Sequence, residues 1–427
     1  MSQKIDNNTY KGTKDYFPAD FERLQYIFAT WRDACKRYQY REYLTPVLEK
    51  AEIYEAKSGE DITHELYTLT DQGGRRLCLR PEMTPSVTRM VTRYYNQEPK
   101  PIRLFSIANF FRAERPQKGR EREFWQLNAD IFGSESIFSD LEILTLAIDI
   151  MKAFNAPADS FIVKLNNRKL IDYLFTRILK IESKQLMTAI TRKLDKYTKM
   201  QRETFEAELD KLGLTTEQIR KLLVWMTFEF SQLEHEFPGI SDTAGYTELQ
   251  TIIAVLEQAG YGGSIAYHAD LIRGFDYYDG MIFEVFDTNP EFNRSVFGGG
   301  RYNGLADIFG NAQIPAVGFA PGNFAIEIFL DNWKLWPDFT DKEQYYMPIL
   351  DEHSLPTYFT LARMLRNEGK RVELGTTVEQ ITKALGTANK RRFSHVIIYG
   401  EEEMNKGIYT LKDMRSGKEE NYTLQPE

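Results

Sequence analysis

Residues 105–133 contain two apolar runs that flank an arginine-rich loop, a pattern that predicts a β-hairpin. In the second run, alternation with a period of two assigns one wholly apolar face to Trp125, Leu127, Ala129 and Ile131. The opposite face carries Phe124, Gln126, Asn128, Asp130 and Phe132. Polar side chains at every second position are costly to bury unless they meet partners. We therefore expect this face to meet a polar ligand.

The loop between the two runs concentrates positive charge. Arg112 and Glu114 end the first run on a shared face. Four more basic residues follow, namely Arg115, Lys118, Arg120 and Arg122. Arginine binds phosphate oxygens in a bidentate geometry that lysine lacks, so the loop suits a nucleoside triphosphate held beside a small polar molecule. The alternative is a solvated surface loop, which is the usual setting of such a run of charges.

The composition is that of an ordinary globular protein, with 427 residues, 42% of them hydrophobic and 27% charged. No apolar run approaches the roughly 20 residues of a membrane span, and the polar amino-terminal segment lacks a signal-peptide hydrophobic region. Cys35 and Cys78 are too few for a disulfide framework or a four-ligand zinc site, and the five histidines form no metal motif. These features predict a protein of the reducing cytoplasm.

The net charge of −8 argues mildly against a dedicated nucleic-acid-binding module, because such modules are usually basic. It leaves room for an enzyme that holds RNA through local patches of positive charge.

Several elements are predicted upstream of the hairpin. An apolar stripe predicts a helix from about Ala19 to Gln39, and Tyr43–Leu48 reads as a strand interrupted by a proline. Residues 66–84 predict a second hairpin around the turn signal Asp71-Gln72-Gly73-Gly74. Glu82 is expected to open a helix that runs to Tyr95.

Downstream of the hairpin, the pattern becomes mainly helical. Ser139 is expected to cap a helix that runs to Phe154, with Glu142 as its capping-box partner. Residues 168–257 show apolar repeats typical of helices and carry no chemical motif. From residue 346 onward, strands and helices alternate, which predicts a parallel or mixed sheet.

Two stretches between these regions are richer in chemistry. LIRGFDYYDGMIFEVF, residues 271–286, joins Arg273 and a tyrosine pair to a turn and a strand. FGGGRYNGL, residues 297–305, has three consecutive glycines, which allow close approach to a neighbouring backbone or a ligand. IPAVGFAPGNFAIEIFL, residues 314–330, reads as a strand, a turn and a helix.

These segments together resemble one enzyme family. FRAERPQKGREREFWQ resembles motif 2 of class II aminoacyl-tRNA synthetases, in the form used by histidyl-tRNA synthetases. RPEMT resembles the RPE-x-T segment of that family, and LIRGFDYYDG resembles its LVRG-x-DYY-x-G signature. The resemblance implies an α+β catalytic domain, in which an antiparallel sheet is flanked by helices, with a helical insertion and a C-terminal α/β domain.

The resemblance also implies domain bounds. The class II synthetase-like catalytic domain would cover residues 1–334, with the helical insertion at about 168–257. A linker would follow over 335–345, and an α/β anticodon-binding-like domain would cover 346–427.

Individual site residues follow from the resemblance, position by position. The histidine-binding residues would be Glu82, Thr84, Gln126, Asp130, Tyr277 and Tyr278. The ATP-binding residues would be Arg112, Glu114 and Arg120. The catalytic residues would be Arg112 and Arg273, beside the α-phosphate. No protein-held metal site is expected, whereas Mg²⁺ would accompany the ATP.

The implied activity is that of a histidine–tRNA ligase, which activates histidine with ATP and transfers it to tRNA(His). Such an enzyme would act as a homodimer, in contact with histidine, ATP and tRNA and away from membranes.

The chain departs from the family pattern at three positions. Ala325 stands where motif 3 normally has an arginine for the γ-phosphate, and no Arg or Lys occurs between Arg301 and Lys334. Asp130 is one methylene shorter than the glutamate more often found in the family, and Asn303 replaces an aspartate.

The first two departures keep a second interpretation open. The chain could be a catalytically silent paralogue, such as the histidine-binding regulatory subunit of ATP phosphoribosyltransferase. The arginine-rich loop, the RGFDYY segment and the C-terminal domain argue against it. A cation from elsewhere in the chain could also replace the missing arginine.

Overall fold

The arginine-rich loop joins the two longest strands of the described chain, Ile102–Phe111 and Glu123–Phe132. The computed structural model describes residues 6–56, 64–117, 119–194, 197, 200–271, 277–291, 295–310, 313–339 and 343–424. The chain divides into two units, Met1–Trp336 and Pro337–Glu427.

The first unit is built on a large sheet that confirms the expected fold class. Its strands, in chain order, are β1 (Arg41–Glu42), β2 (Leu48–Lys50), β3 (Thr68–Thr70), β4 (Arg76–Leu79), β5 (Ile102–Phe111), β6 (Glu123–Phe132), β7 (Phe161–Asn167), β8 (Ile265–Tyr267), β9 (Met281–Asp287), β10 (Ser295–Arg301) and β11 (Ala316–Phe319). Eight of them form one sheet in the order β1-β5-β6-β11-β10-β9-β7-β8. From β5 to β7 in this order, neighbouring strands are antiparallel. The two edge strands pair in parallel, β1 with β5 and β8 with β7. The small sheet β2-β4-β3 contains the second predicted hairpin.

Helices surround this sheet. They are α1 (Pro18–Arg37), α2 (Glu52–Glu55), α3 (Thr84–Tyr94), α4 (Ile137–Ala153), α5 (Arg168–Tyr173), α6 (Lys184–Leu194), α7 (Arg202–Lys211), α8 (Thr216–Thr227), α9 (Leu233–Glu236), α10 (Ala244–Gln258) and α11 (Asn323–Trp333). Helices α5 to α10 occupy the region of the predicted helical insertion. In the described parts of the chain, no helix is both long enough and apolar enough to pass through a lipid bilayer.

The two faces of the hairpin pack against different cores, and the apolar face takes the larger one, as the alternation predicted. Leu127, Ala129 and Ile131 of β6 join a large core that also contains apolar residues of α1 and α4. Phe124 and Phe132, on the other face, contact a smaller core that also contains residues of α3. The polar residues of β6 therefore lie on the face of the smaller core, hereafter the polar face.

Three local expectations were wrong. Residues 43–47 form no strand, so the prediction for Tyr43–Leu48 holds only at Leu48, the first residue of β2. The carbonyl of Thr45 accepts a hydrogen bond from the Arg80 guanidinium at 2.8 Å. Helix α3 begins at Thr84 rather than at Glu82, whose carboxylate binds a tyrosine hydroxyl instead.

The third difference concerns the start of α4. Ser136, not Ser139, caps this helix by accepting a hydrogen bond from the Phe138 amide. Glu142 is unavailable for a capping box because both of its carboxylate oxygens accept hydrogen bonds from Arg103, at 2.6 and 2.8 Å.

The second unit is a mixed sheet flanked by helices, as the alternating pattern predicted. Its strands are β12 (Gln344–Ile349), β13 (Arg371–Val378), β14 (His395–Ile398), β15 (Ile408–Asp413) and β16 (Glu419–Thr423), in the order β13-β12-β14-β15-β16. Its helices are α12 (Leu355–Asn367), α13 (Ile381–Lys390) and α14 (Glu401–Lys406). Strands β13, β12 and β14 are parallel, whereas β15 and β16 are antiparallel additions.

Both ends of the segment predicted as a linker belong to structured regions. Leu335 and Trp336 pack against the large core of the first unit. Gln344 and Tyr345 already form the start of β12.

A buried ion pair ties β10 to the start of α4. Arg301 and Asp140 have only 5% of their surfaces exposed, and the Arg301 Nε donates to Asp140 Oδ1 at 2.9 Å. The same guanidinium donates to the carbonyls of Ser134 and Ser136. Arg301 thereby fixes the end of β10, and with it the start of the segment that begins at Tyr302.

Asp140→Asn is expected to lower the free energy of unfolding of the first unit by about 3–5 kcal/mol, because it leaves the Arg301 charge buried without its counter-charge. Urea denaturation followed by tryptophan fluorescence measures the change. Asp33→Asn is the matched control, since the Asp33–Arg37 pair on α1 is largely exposed and such pairs contribute at most about 1 kcal/mol. Equal effects of the two substitutions would contradict a structural role of the buried pair.

Candidate active site

The polar face of β6 forms the floor of the candidate site. Gln126, Asn128 and Asp130 alternate along the strand, and Asp130 is only 4% exposed. The Gln126 amide nitrogen donates to the carbonyl of Ala320 at 3.2 Å, in the turn before α11. The turn before α11 therefore closes one side of this floor.

Asp130 has a specific partner on the neighbouring part of the sheet. The Tyr302 hydroxyl donates to Asp130 Oδ1 at 2.6 Å, and both groups are buried. Strand β11 passes beneath the carboxyl group at Gly318, where any side chain would collide with Asp130 Oδ1. Burial raises the pKa of Asp130 to about 7, although the Tyr302 hydroxyl acts in the opposite direction. The carboxyl group can therefore exchange a proton near neutral pH.

A second carboxylate lies across the site from Asp130. Glu82 is 3% exposed, and its Oε2 accepts a hydrogen bond from the Tyr277 hydroxyl at 3.3 Å. Thr84, the first residue of α3, also interacts with Tyr277 and acts to lower its pKa, whereas burial and the Glu82 charge raise that pKa well above its ordinary value. Glu82, Thr84 and Tyr277 thus form one buried polar group.

The tyrosines link the two carboxylates. The ring centroids of Tyr277 and Tyr278 are 5.0 Å apart, and those of Tyr277 and Tyr302 are 5.8 Å apart. Burial, followed by the charges of Glu82 and Asp130, raises the pKa of Tyr278. Its hydroxyl therefore stays protonated near neutral pH. It can donate a hydrogen bond to a ligand that lies between Glu82 and Asp130.

Arg112 is held at the edge of this polar group. Its Nε donates to the carbonyl of Pro81 at 3.1 Å, and its guanidinium lies 5.2 Å from the centre of the Phe124 ring. Packing on an aromatic face fixes the orientation of a guanidinium before a ligand arrives. Its remaining N–H groups are suited to an anion.

The arginine-rich loop is braced from two sides. Arg120 lies 3.5 Å from the Glu114 carboxylate, and the Arg122 Nε donates to the Glu114 carbonyl. The amide of Arg122 donates to the carbonyl of Gly12, and its guanidinium lies over the Tyr10 ring. The amino-terminal segment thus supports the loop.

The structure brings most of the predicted site residues into this arrangement. Those described are Glu82, Thr84, Arg112, Glu114, Arg120, Gln126, Asp130, Tyr277 and Tyr278. Arg273 and Lys118 lie outside the described residues.

Comparison with known proteins gives the family. The family model of histidyl-tRNA synthetase matches residues 12–322, and that of the anticodon binding domain matches residues 345–426. The chain belongs to the histidyl-tRNA synthetase family.

Full-length relatives agree with this assignment. The histidine–tRNA ligase of Leptospira biflexa is 36% identical, over 97% of this chain and 94% of the relative. That of Haloarcula marismortui is 33% identical, over 98% and 96% of the two chains. The crystal structure of histidyl-tRNA synthetase from Nostoc sp. PCC 7120 shares the fold, with a TM-score of 0.83 at 23% identity, over 98% of this chain and 97% of that one.

Sequence reasoning missed Tyr302 as a site residue. Its signal was the Arg301-Tyr302 pair after the three glycines, which was interpreted only as a close backbone approach. The glycines do serve that purpose, since a Cβ at Gly299 would collide with the carbonyl of Gly318. The contact of the Tyr302 hydroxyl with Asp130 depends on pairing between distant strands, which local sequence does not reveal.

The departure at motif 3 lies in the first turn of α11. Ala325 is half-buried and packs against the large core. Asn323 secures this turn, because its side-chain oxygen accepts a hydrogen bond from the Trp125 amide at 2.9 Å. The first turn of α11 is therefore docked on β6, with Ala325 turned toward the large core.

Asp130→Asn is expected to change how stability depends on pH. Between pH 4 and 7 the folded protein keeps a proton on Asp130 that the unfolded chain has released, because the folded pKa of about 7 lies above the ordinary value of 3.8. The free energy of unfolding therefore falls as the pH rises through this window, by about 1.4 kcal/mol per unit of pKa difference.

Chemical denaturation of the wild type and of Asp130→Asn at several pH values measures this effect. The variant should gain stability relative to the wild type from pH 4 to 7, with no further gain above. Asp20→Asn, on the exposed side of α1, gives the baseline. A constant difference between Asp130→Asn and the wild type would contradict a protonated Asp130.

Proposed function

We propose that this chain is a histidine–tRNA ligase. The histidine carboxylate would attack the α-phosphorus of ATP, forming histidyl-adenylate and releasing pyrophosphate. The 3′-terminal hydroxyl of tRNA(His) would then attack the activated carbonyl and release AMP. The observation that carries this proposal is the arrangement of two buried carboxylates, three tyrosines and an oriented arginine on one face of the sheet, in a member of this family.

The polar face suits histidine as the amino acid. A neutral imidazole needs both a hydrogen-bond donor and an acceptor. Asp130 would accept from one ring nitrogen, and the Tyr278 hydroxyl would serve the other. Glu82, with Thr84 and Tyr277, would bind the α-ammonium group, and Gln126 would bind the carboxylate end. A buried pocket of this kind rejects amino acids without matching groups by factors of roughly 10⁴ or more.

The arginines would stabilise the charge that develops during adenylation. Arg112 and Arg273 would flank the α-phosphate, Arg120 would hold the outer phosphates, and Glu114 would face the adenine. Preorganised cations of this kind act because they cost little reorganisation at the moment of reaction. They would also hold the nucleotide in line with the attacking carboxylate.

Mg²⁺ would arrive with the nucleotide, because it prefers phosphate oxygens as ligands. No cluster of metal-ligating side chains occurs among the described residues. When bound, Mg²⁺ would neutralise charge on the phosphates.

The second unit and the helical insertion of the first unit would bind the tRNA. The second unit would bind the anticodon, and the helices of the insertion would approach the acceptor arm. We propose residues 1–334 as the catalytic domain, with the helical insertion at about 168–257, and residues 346–427 as the anticodon-binding domain.

Exposed apolar residues favour a homodimer. Leu44 and Val47, between β1 and β2, and Leu48, the first residue of β2, are 68%, 37% and 45% exposed. Clustered apolar exposure of this kind marks protein interfaces. Action in the cytoplasm follows from the need to meet tRNA, ATP and histidine.

One observation favours a second function, a silent histidine-binding subunit of ATP phosphoribosyltransferase. Ala325 removes the motif 3 cation that holds the γ-phosphate. Arg112 and the braced loop weigh against this alternative, and so does the match of residues 345–426 to an anticodon binding domain. A subunit that only senses histidine needs neither phosphate contacts nor anticodon recognition.

Histidine-dependent exchange between ATP and pyrophosphate tests the proposal. The wild type should catalyse exchange, and Arg112→Lys should lower kcat by about 100-fold, since lysine cannot reproduce the bidentate, oriented contact. Arg37→Lys on the exposed side of α1 is the matched control and should be unaffected.

Arg273→Ala should also abolish exchange. If the wild type bound histidine tightly in calorimetry but catalysed no exchange, the ligase proposal would fail and the regulatory subunit would replace it.

A further inference from the structure

Three polar residues form a row across neighbouring strands of the polar face. Ser106 of β5 lies directly opposite Asn128 of β6. On the other side of β5 lies the parallel edge strand β1, in which Arg41 is paired with Leu104 and Glu42 with Phe105. The next residue along the chain is Tyr43, and its amide donates to the Phe105 carbonyl at 2.9 Å. Tyr43 therefore comes next to Ser106, and its ring contacts the smaller core.

The polar atoms of this row are buried. Ser106 is 0% exposed and Asn128 is 3% exposed. Among the described residues, no hydrogen-bond partner exists for Tyr43 Oη, Ser106 Oγ or Asn128 Nδ2. Leaving one such atom unpaired costs about 1–3 kcal/mol, so three in adjacent positions indicate a common ligand rather than chance.

The row borders the candidate histidine pocket. Asn128 and Asp130 are successive residues on the polar face of β6. Tyr43 packs against the smaller core, to which Tyr302, the hydrogen-bond partner of Asp130, belongs. Burial, followed by the charge of Asp130, raises the pKa of the Tyr43 hydroxyl, in keeping with this position.

A single water molecule fits this row. Buried waters typically make about three hydrogen bonds to groups that are otherwise unpaired, and the row offers a serine hydroxyl, a tyrosine hydroxyl and an amide N–H.

We propose that Tyr43, Ser106 and Asn128 bind an ordered water beneath the histidine pocket, and that Tyr43 is thereby a further determinant of imidazole recognition. This inference rests on the proposed function. The water joins the row to Asp130, so that the short carboxylate still meets the ring nitrogen through a fixed partner. Tyr43 is a positioning residue and does not touch the reacting atoms.

Exchange between ATP and pyrophosphate, measured as a function of histidine and of ATP concentration, tests this role. Tyr43→Phe removes one hydroxyl and should raise the KM for histidine roughly tenfold, the equivalent of one lost hydrogen bond of about 1.4 kcal/mol. The KM for ATP should stay unchanged. Ser106→Ala should have the same effect, because it removes a second partner of the same water.

Tyr40→Phe is the matched control. Tyr40 is also buried, but it belongs to the large core on the opposite face. This variant should leave both KM values unchanged. Thermal unfolding of each variant separates a binding defect from a folding defect, and Ser106→Ala carries the test if Tyr43→Phe does not fold.

The double variant Tyr43→Phe with Ser106→Ala identifies the shared ligand. Loss of one common water predicts a double effect no larger than the larger single effect, whereas independent contacts would add. Additive effects, or a Tyr43→Phe variant that behaves like Tyr40→Phe, would overturn the inference while the wild-type activity still supports the ligase. A wild type without exchange would overturn the proposed function and this inference with it.

Discussion

The organisation of the first unit depends on burying a polar strand face in the middle of a sheet. Asp130 is nearly inaccessible on a central strand, and an isolated carboxylate in that position would be prohibitively unstable. The hydrogen bond from Tyr302 and the protonation that burial favours make the position tolerable. A bound imidazole would add the remaining partner, so the cost of folding this face is recovered when the ligand binds.

This requirement explains several features far from the hairpin in sequence. Gly318 leaves room for the carboxyl group, and Gly299 allows β10 to approach β11 closely. Arg301, held by the buried Asp140, fixes the end of β10 and hence the direction in which Tyr302 enters the site. A rigid network behind the pocket favours tight binding, because little conformational entropy is then lost when the ligand binds.

The same logic separates the amino acid from the nucleotide. The proposed histidine side would combine Gln126 and Asp130 of β6 with Glu82, Thr84 and the tyrosine pair, which lie outside the sheet. The proposed nucleotide side would consist of Arg112, which is oriented by the Phe124 ring, and of a loop whose Arg120 is largely exposed. In the proposed function, the loop arginines would contact the phosphates from a braced segment, and Arg120 keeps 59% of its side chain exposed to a ligand.

Much of this protein could be predicted from local pattern. The alternation in β6 separated the apolar face from the polar face correctly, because the period of a strand is fixed by backbone geometry. The large sheet, the helical region 168–257 and the mixed second sheet followed from periodicity and from the family resemblance. The predicted boundaries were wrong where a distant arginine binds the group concerned. Arg80 binds the Thr45 carbonyl, and Arg103 binds the Glu142 carboxylate that was expected to cap a helix.

The sequence by itself determined the family, the polar strand and the residues that line it. Only the tertiary structure decided their hydrogen-bond partners, namely Tyr302 for Asp130 and Tyr277 for Glu82. It also decided that Tyr43 lies beside Ser106 and Asn128. The physical reason is that a hydrogen bond between residues more than a hundred positions apart depends on strand order and register. These arise from the packing of the whole sheet, and no local segment encodes them.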